Sequence, residues 1–513
     1  MTAAPGYRAL FSLHDPEVGI APARLLTALG WEVVASRETA SVLRQTGLSV
    51  RFLEDYLGAS FDLPFPPTLH PRMEAALTLA DHPEPIHLVL VMPYPRDVGN
   101  DVGGRTLLAL AAKGGRIPVM DREGLARVTA ALEETGQVGE ALQRQLAARV
   151  HQAIAGHFAG LAREGDRFET LQGQFHALLL NGENPYQVPA AHFRGETDDP
   201  LALHRFERVS GEDPCFTNLA DADCILHTMS LLAEGFRRNF GRVPHLAVAA
   251  KHGNPCGAAF HWDDPGTVLE QTLFGNPRAV WGGEMITNFP IVGALGMALA
   301  RSARREVLLG QAGWMLDLVM APGFDGAAVE ALGRRERRKL LANPALEHPG
   351  LSGAALFAHR MVRGGFLRQP PPHYVLDLAE TDGAGAMPDD PLVRGGLILA
   401  WAVAFSSSHG GNEVALVAAD HLAGVGGGPS TVEAVATAID RSRANGHDLR
   451  GAVFGADAFF PFEDAPRLLI ESGCAWGVVP GGGVRFAEVR QCFADRGVGV
   501  GYLPEWCRGF CRH

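Results

Sequence analysis

The chain has 513 residues, 47% of them hydrophobic and 20% charged, which is typical of a globular protein with two to four domains. A formal net charge of −12 and an isoelectric point near 5.9 argue against nucleic acid or an anionic membrane as the main partner. The cysteines number seven and contain no C-x-x-C pair, so we expect reduced thiols and no bound metal. The N-terminus lacks a signal-peptide pattern and the longest apolar run, 397–405, is too short to cross a bilayer, so we expect a cytoplasmic protein.

The chain opens with apolar runs that alternate with a helical pattern, which predicts an α/β domain with buried parallel strands. The runs are RALFSL (8–13), WEVVAS (31–36) and IHLVLVMPY (86–94), with a helix at 21–30. Two amphipathic helices are predicted at 124–136 and 138–164, followed by charged residues around Gly165. We therefore expect one domain over 1–165 and a second over 166–513.

Strand and helix patterns alternate again beyond this boundary. The predicted strands lie within 243–253, 316–322, 413–420 and 475–482. The segment 297–310 predicts one helix, and the basic run GRRERRKLL (333–341) is typical of the solvated face of a helix. No internal duplication is visible in the sequence.

One of these strands is followed by the most informative motif, in which Lys251 and His252 precede Asn254-Pro255-Cys256-Gly257. By itself the motif would equally suit a polar loop. However, KHGNPCGAA (251–259) resembles the KHNNPCG-type signature of aminoimidazole carboxamide ribonucleotide (AICAR) formyltransferase. That enzyme is the larger domain of a bifunctional purine-biosynthesis family, which also carries inosine monophosphate (IMP) cyclohydrolase.

Five further stretches agree with this family in the same order along the chain. They are NGENPYQ (181–187), NLADAD (218–223), LDLVMAPGFDGAAVEAL (316–332), DAFFPFED (457–464) and VVPGGGVR (478–485). The closing CRGFCRH (507–513) resembles the family's Arg-containing C-terminus with one residue inserted. Because these matches occur in the same order from residue 181 to residue 485, the chain resembles the family over a long region and not in one motif alone.

The resemblance implies an α/β fold in two parts. The N-terminal part would be a small domain with a methylglyoxal-synthase-like fold. The larger formyltransferase domain would consist of two cytidine-deaminase-like α/β/α subdomains. The family also implies a homodimer with active sites at the interface, small-molecule substrates, and no nucleic-acid or membrane partner.

The implied reaction moves a formyl group from the co-substrate 10-formyltetrahydrofolate to an amine. It requires a base for the amine proton, an acid for the departing folate nitrogen and donors for the oxyanion. By resemblance, His252 is the general base and Lys251 the acid or charge stabiliser. Asn412 would donate to the oxyanion, although the preceding SSSHGG (406–411) is about two residues longer than the family pattern.

The resemblance also implies residues that bind the two substrates. Asp464 matches the carboxylate that holds the pterin ring, since a carboxylate accepts two parallel hydrogen bonds from an amino-pyrimidine edge. The predicted folate contacts are Asp457, Phe459, Pro461, Phe462 and Asp464. The predicted nucleotide contacts are Asn181, Tyr186, Asn218 and Arg508. The alternatives are core packing for the phenylalanines and a helix cap for Asp464.

Departures from the family pattern affect the phosphate of the acceptor. Leu180-Asn181 stands where the family has Arg-Tyr, and Tyr186 replaces a histidine. A charge-assisted contact is therefore missing. Either other residues bind the phosphate, or the accepting amine is not that of AICAR.

The N-terminal domain departs further, at its phosphate-binding positions. The family's Ser-Thr-Gly-Gly loop reads Ser36-Arg37-Glu38, and a glutamate disfavours a phosphate there. The expected Arg and Lys are Phe65 and Pro67, and a further Lys is Pro16. Tyr94, Asp101 and Lys113 match the family. We therefore expect a degenerate domain without cyclohydrolase activity.

Three functions remain open. The first is an AICAR formyltransferase that lacks the cyclohydrolase activity. The second is a paralogue that formylates another amine. The third is a non-catalytic scaffold or regulator, against which the retention of four residues argues: Lys251, His252, Asn412 and Asp464. A zinc deaminase is excluded by the missing Cys and His ligands. The glycine-rich 424–430 lacks the spacing of a dinucleotide site, and His261-Trp262-Asp263-Asp264 is interpreted as a loop.

Overall fold

A computed structural model of the chain describes residues 6–58, 67–95, 98–164, 168–351, 357–383 and 388–509. The chain divides into two compact units, Met1–Gln172 and Gly173–His513. The predicted boundary at Gly165 lies outside the described residues, as do Phe65 and the last four residues of CRGFCRH.

The first unit is built on a five-stranded parallel sheet in the order β3-β2-β1-β4-β5. Its strands are β1 (Arg8–Leu13), β2 (Glu32–Ala35), β3 (Val50–Phe52), β4 (Leu88–Met92) and β5 (Ile117–Val119). Its helices are α1 (Ile20–Ala28), α2 (Arg37–Gln45), α3 (Leu53–Leu57), α4 (Pro71–Thr78), α5 (Val102–Lys113), α6 (Arg122–Thr135) and α7 (Glu140–Arg163). The central strands are buried on both faces, as parallel strands usually are. The predicted buried strands and helices of this region are confirmed.

The second unit contains a twelve-stranded mixed sheet in the order β16-β21-β20-β19-β17-β18-β10-β9-β11-β12-β13-β8, and two separate two-stranded hairpins, β6-β7 and β14-β15. Its strands are β6 (Gln174–Leu179), β7 (Ala190–Arg194), β8 (Glu207–Ser210), β9 (His245–Lys251), β10 (Asn254–His261), β11 (Gly283–Thr287), β12 (Leu316–Ala321), β13 (Lys339–Ala342), β14 (Ala358–Val362), β15 (Gly365–Gln369), β16 (Asp382–Gly383), β17 (Asn412–Ala418), β18 (His421–Gly428), β19 (Val453–Ala456), β20 (Trp476–Pro480) and β21 (Gly499–Leu503). Its helices are α8 (Phe216–Phe240), α9 (Pro265–Gly275), α10 (Gly293–Ala300), α11 (Ala303–Leu309), α12 (Gly326–Gly333), α13 (Pro391–Ser406), α14 (Thr431–Ala444), α15 (Asp464–Ser472) and α16 (Phe486–Ala494). The α/β class predicted from the sequence is confirmed.

The large sheet consists of two halves with the same order of elements. Each half has a long helix, an antiparallel hairpin, a second helix and three mutually parallel strands. The first half runs from α8 to β13 and the second from α13 to β21. The halves meet where β10 pairs with β18, with Ala259 opposite His421. This repeat of structure was not visible in the sequence.

The apolar run 397–405 lies inside α13, at the centre of the larger core. Trp401 is fully buried there. Helix α8 packs beside α13, and the Thr228 hydroxyl donates to the Ser406 hydroxyl across 2.8 Å. Among the helices that the structure describes, none combines the length and the apolar character that a membrane span requires.

The glycine-rich 424–430 is mostly the end of β18, and its glycines allow α14 to pack closely. A Cβ at Gly424 would lie 2.3 Å from the Ala438 carbonyl oxygen, and one at Gly426 would lie 2.3 Å from that of Ala434. Neither distance is tolerable, because Cβ atoms do not approach backbone oxygens so closely. The glycines therefore have a packing role between strand and helix.

Two predictions for the first half are wrong. The predicted helix 297–310 is interrupted at Arg301, which bridges to Gly313, and Ser302 caps the separate helix α11. The basic run 333–341 is not a solvated helix face, because it leads into β13 and buries Arg338. The Arg338 guanidinium donates to three backbone carbonyls, at 2.7 to 3.3 Å, and burial lowers its pKa to about 10.

Candidate active site

Lys251 and His252 lie at the tight turn between β9 and β10. His252 and Gly253 have φ values of 52° and 70°, the left-handed pair that a two-residue type I′ hairpin turn requires. A non-glycine residue there costs about 1 kcal/mol. A Cβ at Gly253 would lie 2.9 Å from the Cys224 Sγ on α8. Glycine at 253 therefore lets the turn pack against α8, and His252 is held exposed at the tip.

The Lys251 ammonium is anchored by backbone carbonyls. Its Nζ donates to the carbonyl oxygen of Trp281 at 3.1 Å and to that of Gly282. An ammonium has three N–H donors, so one remains for a ligand. The half-buried Lys251 is thus positioned by backbone carbonyls, with no direct ion pair to any residue that the structure describes.

A pair of carboxyl groups, the buried Glu284 and the half-buried Asp221, lies behind this turn. Glu284 on β11 is 3% exposed, and its Oε1 accepts from the Asn218 Nδ2 at 3.2 Å. The Glu284 Oε2 has no N–H donor among the described residues, and the Asp221 carboxyl lies within hydrogen-bonding reach of the Glu284 carboxyl. Two carboxyl groups can hydrogen-bond only if one of them is protonated.

The same conclusion follows from the electrostatics of the pair. Burial, together with the Asp221 charge, raises the pKa of Glu284 to about 9. Burial also raises the pKa of Asp221, against the opposing effects of His252 and Lys251. The pair therefore keeps one proton at neutral pH and carries a single negative charge close to Lys251.

The segment before β17 connects this turn with Asn412. The Ser408 backbone N–H donates to the Asn254 Oδ1 at 2.7 Å. The His409 Nδ1 lies 2.9 Å from the Glu413 Oε2. Asn412 begins β17, and its Nδ2 donates to the Gly428 carbonyl at 3.1 Å, which leaves one amide hydrogen for a ligand.

Asp457 is placed in the interior and not at a surface. It is 1% exposed, and its Oδ1 accepts from the Glu413 backbone N–H at 2.8 Å. Burial raises its pKa to about 8. Its side chain thereby joins the segment after β19 to the start of β17, beside Asn412.

The other predicted folate contacts lie nearer the surface. Phe462 is 52% exposed, and Asp464 is exposed at the first turn of α15. The Asp464 Oδ1 accepts from the Ala465 N–H at 2.8 Å, and the other carboxylate oxygen has no donor among the described residues. Pro461 is half-buried, and the Phe459 ring packs against Gly483. An accessible ring beside a carboxylate suits a flat heterocycle with N–H donors.

The predicted nucleotide contacts fall in two places. Asn218 is buried in the first turn of α8, and the backbone carbonyl of Asn181 accepts from the Phe216 N–H at 3.0 Å, so these two segments are neighbours. Tyr186 follows in the β6–β7 connection and is 80% exposed. The Arg508 guanidinium lies 5.8 Å from the centre of the Phe459 ring, so Arg508 is close to the predicted folate-binding segment 457–464.

A cavity of about 300 Å³ adjoins the turn. Residues that border it include Lys251, His252, Asn254, Cys256, His409 and Arg441. Sequence reasoning missed Arg441 and His409, along with the Asp221–Glu284 pair. Asp221 stands in the NLADAD stretch, which was a usable signal, whereas nothing in the sequence marks Arg441 or Glu284.

Comparison with known proteins decides the family. The family described as AICARFT/IMPCHase bienzyme matches residues 116–441, which is more than half of the chain. The chain belongs to this family. It is accordingly an enzyme, a folate-dependent formyltransferase, and the family resemblance seen in the sequence is confirmed.

Relatives match over nearly the whole length. Bifunctional purine biosynthesis proteins PurH from Acidithiobacillus ferrooxidans and Rhodopirellula baltica are each 28% identical to the chain. The first alignment covers 96% of this chain and 97% of the relative, and the second covers 94% and 95%. A solved structure, described as the crystal structure of ForH, is 25% identical over 31% of this chain and 97% of its own, but its TM-score of 0.27 supports no argument.

Proposed function

We propose that the chain transfers the formyl group of 10-formyltetrahydrofolate to the amine of AICAR and lacks IMP cyclohydrolase activity. The observation that carries the proposal is the hairpin turn that holds Lys251 and His252 at a cavity, in a chain of this family. The folate supplies the formyl group when it is bound.

The residues at this site supply the proton transfers and the charge stabilisation. His252, exposed at the turn, takes the proton from the accepting amine. Lys251 donates its free N–H toward the departing nitrogen or the developing charge, and the free amide hydrogen of Asn412 donates to the oxyanion. The single negative charge of the Asp221–Glu284 pair lies close to the Lys251 ammonium and attracts it.

The folate would be held by the segment that contains Phe459, Pro461, Phe462 and Asp464. The half-exposed Phe462 ring offers a stacking surface, and Asp464 offers an acceptor oxygen. Asp457 would act through the backbone of this segment, because its own side chain is buried. Arg508 and Asn218, with Asn181 and Tyr186, are proposed for the nucleotide.

The first unit supports the proposed loss of ring closure. Glu38 lies exposed in the first turn of α2, where a phosphate would otherwise meet the helix N-terminus. Arg37 is paired with Glu54 at 3.1 Å. Asp101 caps α5 through the Gly104 N–H at 2.7 Å, and Lys113 is exposed at the end of that helix. Asp101, which matches the family, thus has a structural role as a helix cap, and Lys113, which also matches, lies at the surface at the other end of the same helix.

We further propose the finer architecture and assembly that the family implies. Residues 1–165 would form a degenerate cyclohydrolase domain with a methylglyoxal-synthase-like fold. Residues 166–513 would form the formyltransferase domain, with its two halves as cytidine-deaminase-like subdomains. The protein would act in the cytoplasm as a homodimer with active sites at the interface.

The proposal is tested with the purified full chain. With 10-formyltetrahydrofolate and AICAR we expect tetrahydrofolate release, and with synthetic formyl-AICAR we expect no IMP. IMP formation that copurifies with the protein and is lost in Tyr94→Phe would contradict the proposed loss of cyclohydrolase activity. Absence of formyl transfer to AICAR would contradict the proposed formyltransferase activity.

A paralogue that uses another amine is the second candidate, because Leu180 and Tyr186 are exposed apolar or neutral groups where the family has cations or imidazole. If AICAR is the acceptor, Leu180→Arg should lower its KM. If it is not, Leu180→Arg leaves AICAR turnover negligible, and a labelled formyl group passes to another amine in a cell extract. A non-catalytic scaffold, the third candidate, would transfer the label to no acceptor.

A further inference from the structure

The cavity beside Lys251 and His252 brings together two cationic side chains from the two halves of the large sheet. Lys251 comes from the β9–β10 hairpin of the first half, and Arg441 comes from the last turn of α14 in the second. Both influence the Cys256 thiol, favouring its ionised form, so they approach the cavity from positions near the same side chain. Burial nevertheless raises the pKa of Cys256 to about 12, which leaves that thiol neutral.

Arg441 has most of its donors available. Its Nη1 donates to the Val425 carbonyl at 2.7 Å, which uses one of the five N–H groups of a guanidinium. It pairs with no carboxylate among the described residues. The single backbone contact fixes the direction of the side chain without neutralising its charge.

The border of the cavity contains no acidic side chain among the residues that the structure describes. Three carboxyl groups that interact with residues of the site do not pair with Arg441. Glu413 accepts from the His409 ring and from backbone N–H groups, and the Asp221–Glu284 pair retains a proton. Two like charges at one cavity repel each other, so an anion that enters between them is stabilised by both.

We propose that Arg441 binds an anionic group of a substrate in this cavity, with the Lys251 ammonium as a second positive charge at the cavity border. A guanidinium binds phosphate or carboxylate through two parallel hydrogen bonds. The group is either the phosphate of the acceptor or a glutamate carboxylate of the folate. This inference rests on the proposed function for the identity of the ligand.

The test compares Arg441→Ala with Arg443→Ala. Arg443 is an exposed arginine in the same last turn of α14, so both changes remove one positive charge from the same helix end. Binding of AICAR and of inorganic phosphate is measured by calorimetry without folate, and KM values are measured for AICAR and for mono- and polyglutamylated 10-formyltetrahydrofolate. Arg441→Lys and thermal unfolding show whether any loss reflects misfolding.

If the acceptor phosphate is the ligand, Arg441→Ala weakens AICAR binding and raises its KM roughly tenfold to hundredfold, while Arg443→Ala matches the unchanged protein. If the folate is the ligand, only the folate KM rises, most strongly for the polyglutamate. Equal behaviour of the two alanine variants toward every ligand overturns the inference. A chain that binds AICAR through Arg441 but does not formylate it would instead contradict the proposed function alone.

Discussion

The two hairpins of the large sheet occupy equivalent places in the two halves but carry different chemistry. Their turns contain both non-glycine residues with positive φ in the described structure, His252 at 52° and Ala419 at 55°. Strand pairing places Lys251 opposite Asn254 in one hairpin and Ala418 opposite His421 in the other. Both turns thus begin with a left-handed residue, although only the first has a second one, at Gly253. Only the first turn presents an ammonium and an imidazole to the cavity.

The neighbouring strands continue this difference. Glu284 lies opposite Ala250 in the first half, and Val453 lies opposite Val417 at the equivalent place in the second. A buried carboxyl therefore stands behind the turn with Lys251 and His252, while a valine fills the core behind the other. The left-handed residue alone does not indicate a catalytic turn; the polar groups behind it distinguish the two.

The largest expected effect concerns His252 itself. Replacement by alanine should lower formyl-transfer turnover at least ~10²-fold, because it removes the proposed base and no buried volume. Lys251→Ala should give a comparable loss. Turnover is measured at saturating substrates, with unfolding curves to confirm the fold.

The control for this prediction is His421→Ala, at the other turn. This imidazole contacts Asp420 and His447 and is not proposed to touch a substrate. Near-normal turnover in both His252→Ala and Lys251→Ala would contradict the proposal that these two residues transfer protons and stabilise charge in the reaction.

The second prediction concerns the buried carboxyl pair and pH. The pKa of Glu284 is raised from 4.5 to about 9, so the folded protein holds an extra proton between these values. Its contribution to the free energy of unfolding is complete below about pH 4.5 and is lost as the pH rises toward 9. Glu284→Gln cannot titrate, so its stability relative to the unchanged protein should increase with pH across this window, by at least about 1 kcal/mol.

Denaturant unfolding at several pH values measures this difference. Val453→Leu serves as the control at the equivalent place, since it alters packing without a titratable group. A constant difference between Glu284→Gln and the unchanged protein from pH 5 to pH 9 would show that the pair does not hold the extra proton.

The smallest expected effect is on the strain at the second turn. Ala419→Gly should increase the free energy of unfolding by up to about 1 kcal/mol, because glycine adopts positive φ without a Cβ clash. Formyl-transfer turnover should stay the same. His252→Gly should relieve similar strain but lose activity, and thermal unfolding with a turnover assay distinguishes the two. A loss of activity in Ala419→Gly would mean that the second turn also serves catalysis.

The sequence by itself determined the α/β class, most strand positions and the family. Apolar runs such as RALFSL and IHLVLVMPY allow few structures other than buried strands, and short ordered motifs such as KHGNPCG depend on local backbone geometry. The departures from the family pattern at Leu180 and Glu38 could also be recognised from the sequence, because the side chain at a matched position either carries the expected charge or does not. The break in the helix at Arg301 was not readable, since it depends on pairing with Gly313. The burial of Arg338 was not readable either, since it depends on the carbonyls of Leu316 and Trp314.

Only the tertiary structure decided which side chains share the site. Asn218 and Glu284 are 66 positions apart, and their contact exists because α8 packs against β11. The cavity joins Lys251 to Arg441 because the two halves meet along β10 and β18. The pKa of a carboxyl group depends on its burial and on neighbouring charges. Neither the burial of a carboxyl group nor the charges around it follow from local sequence. The proton held by Glu284 and the cation supplied by Arg441 therefore became visible only in the folded chain.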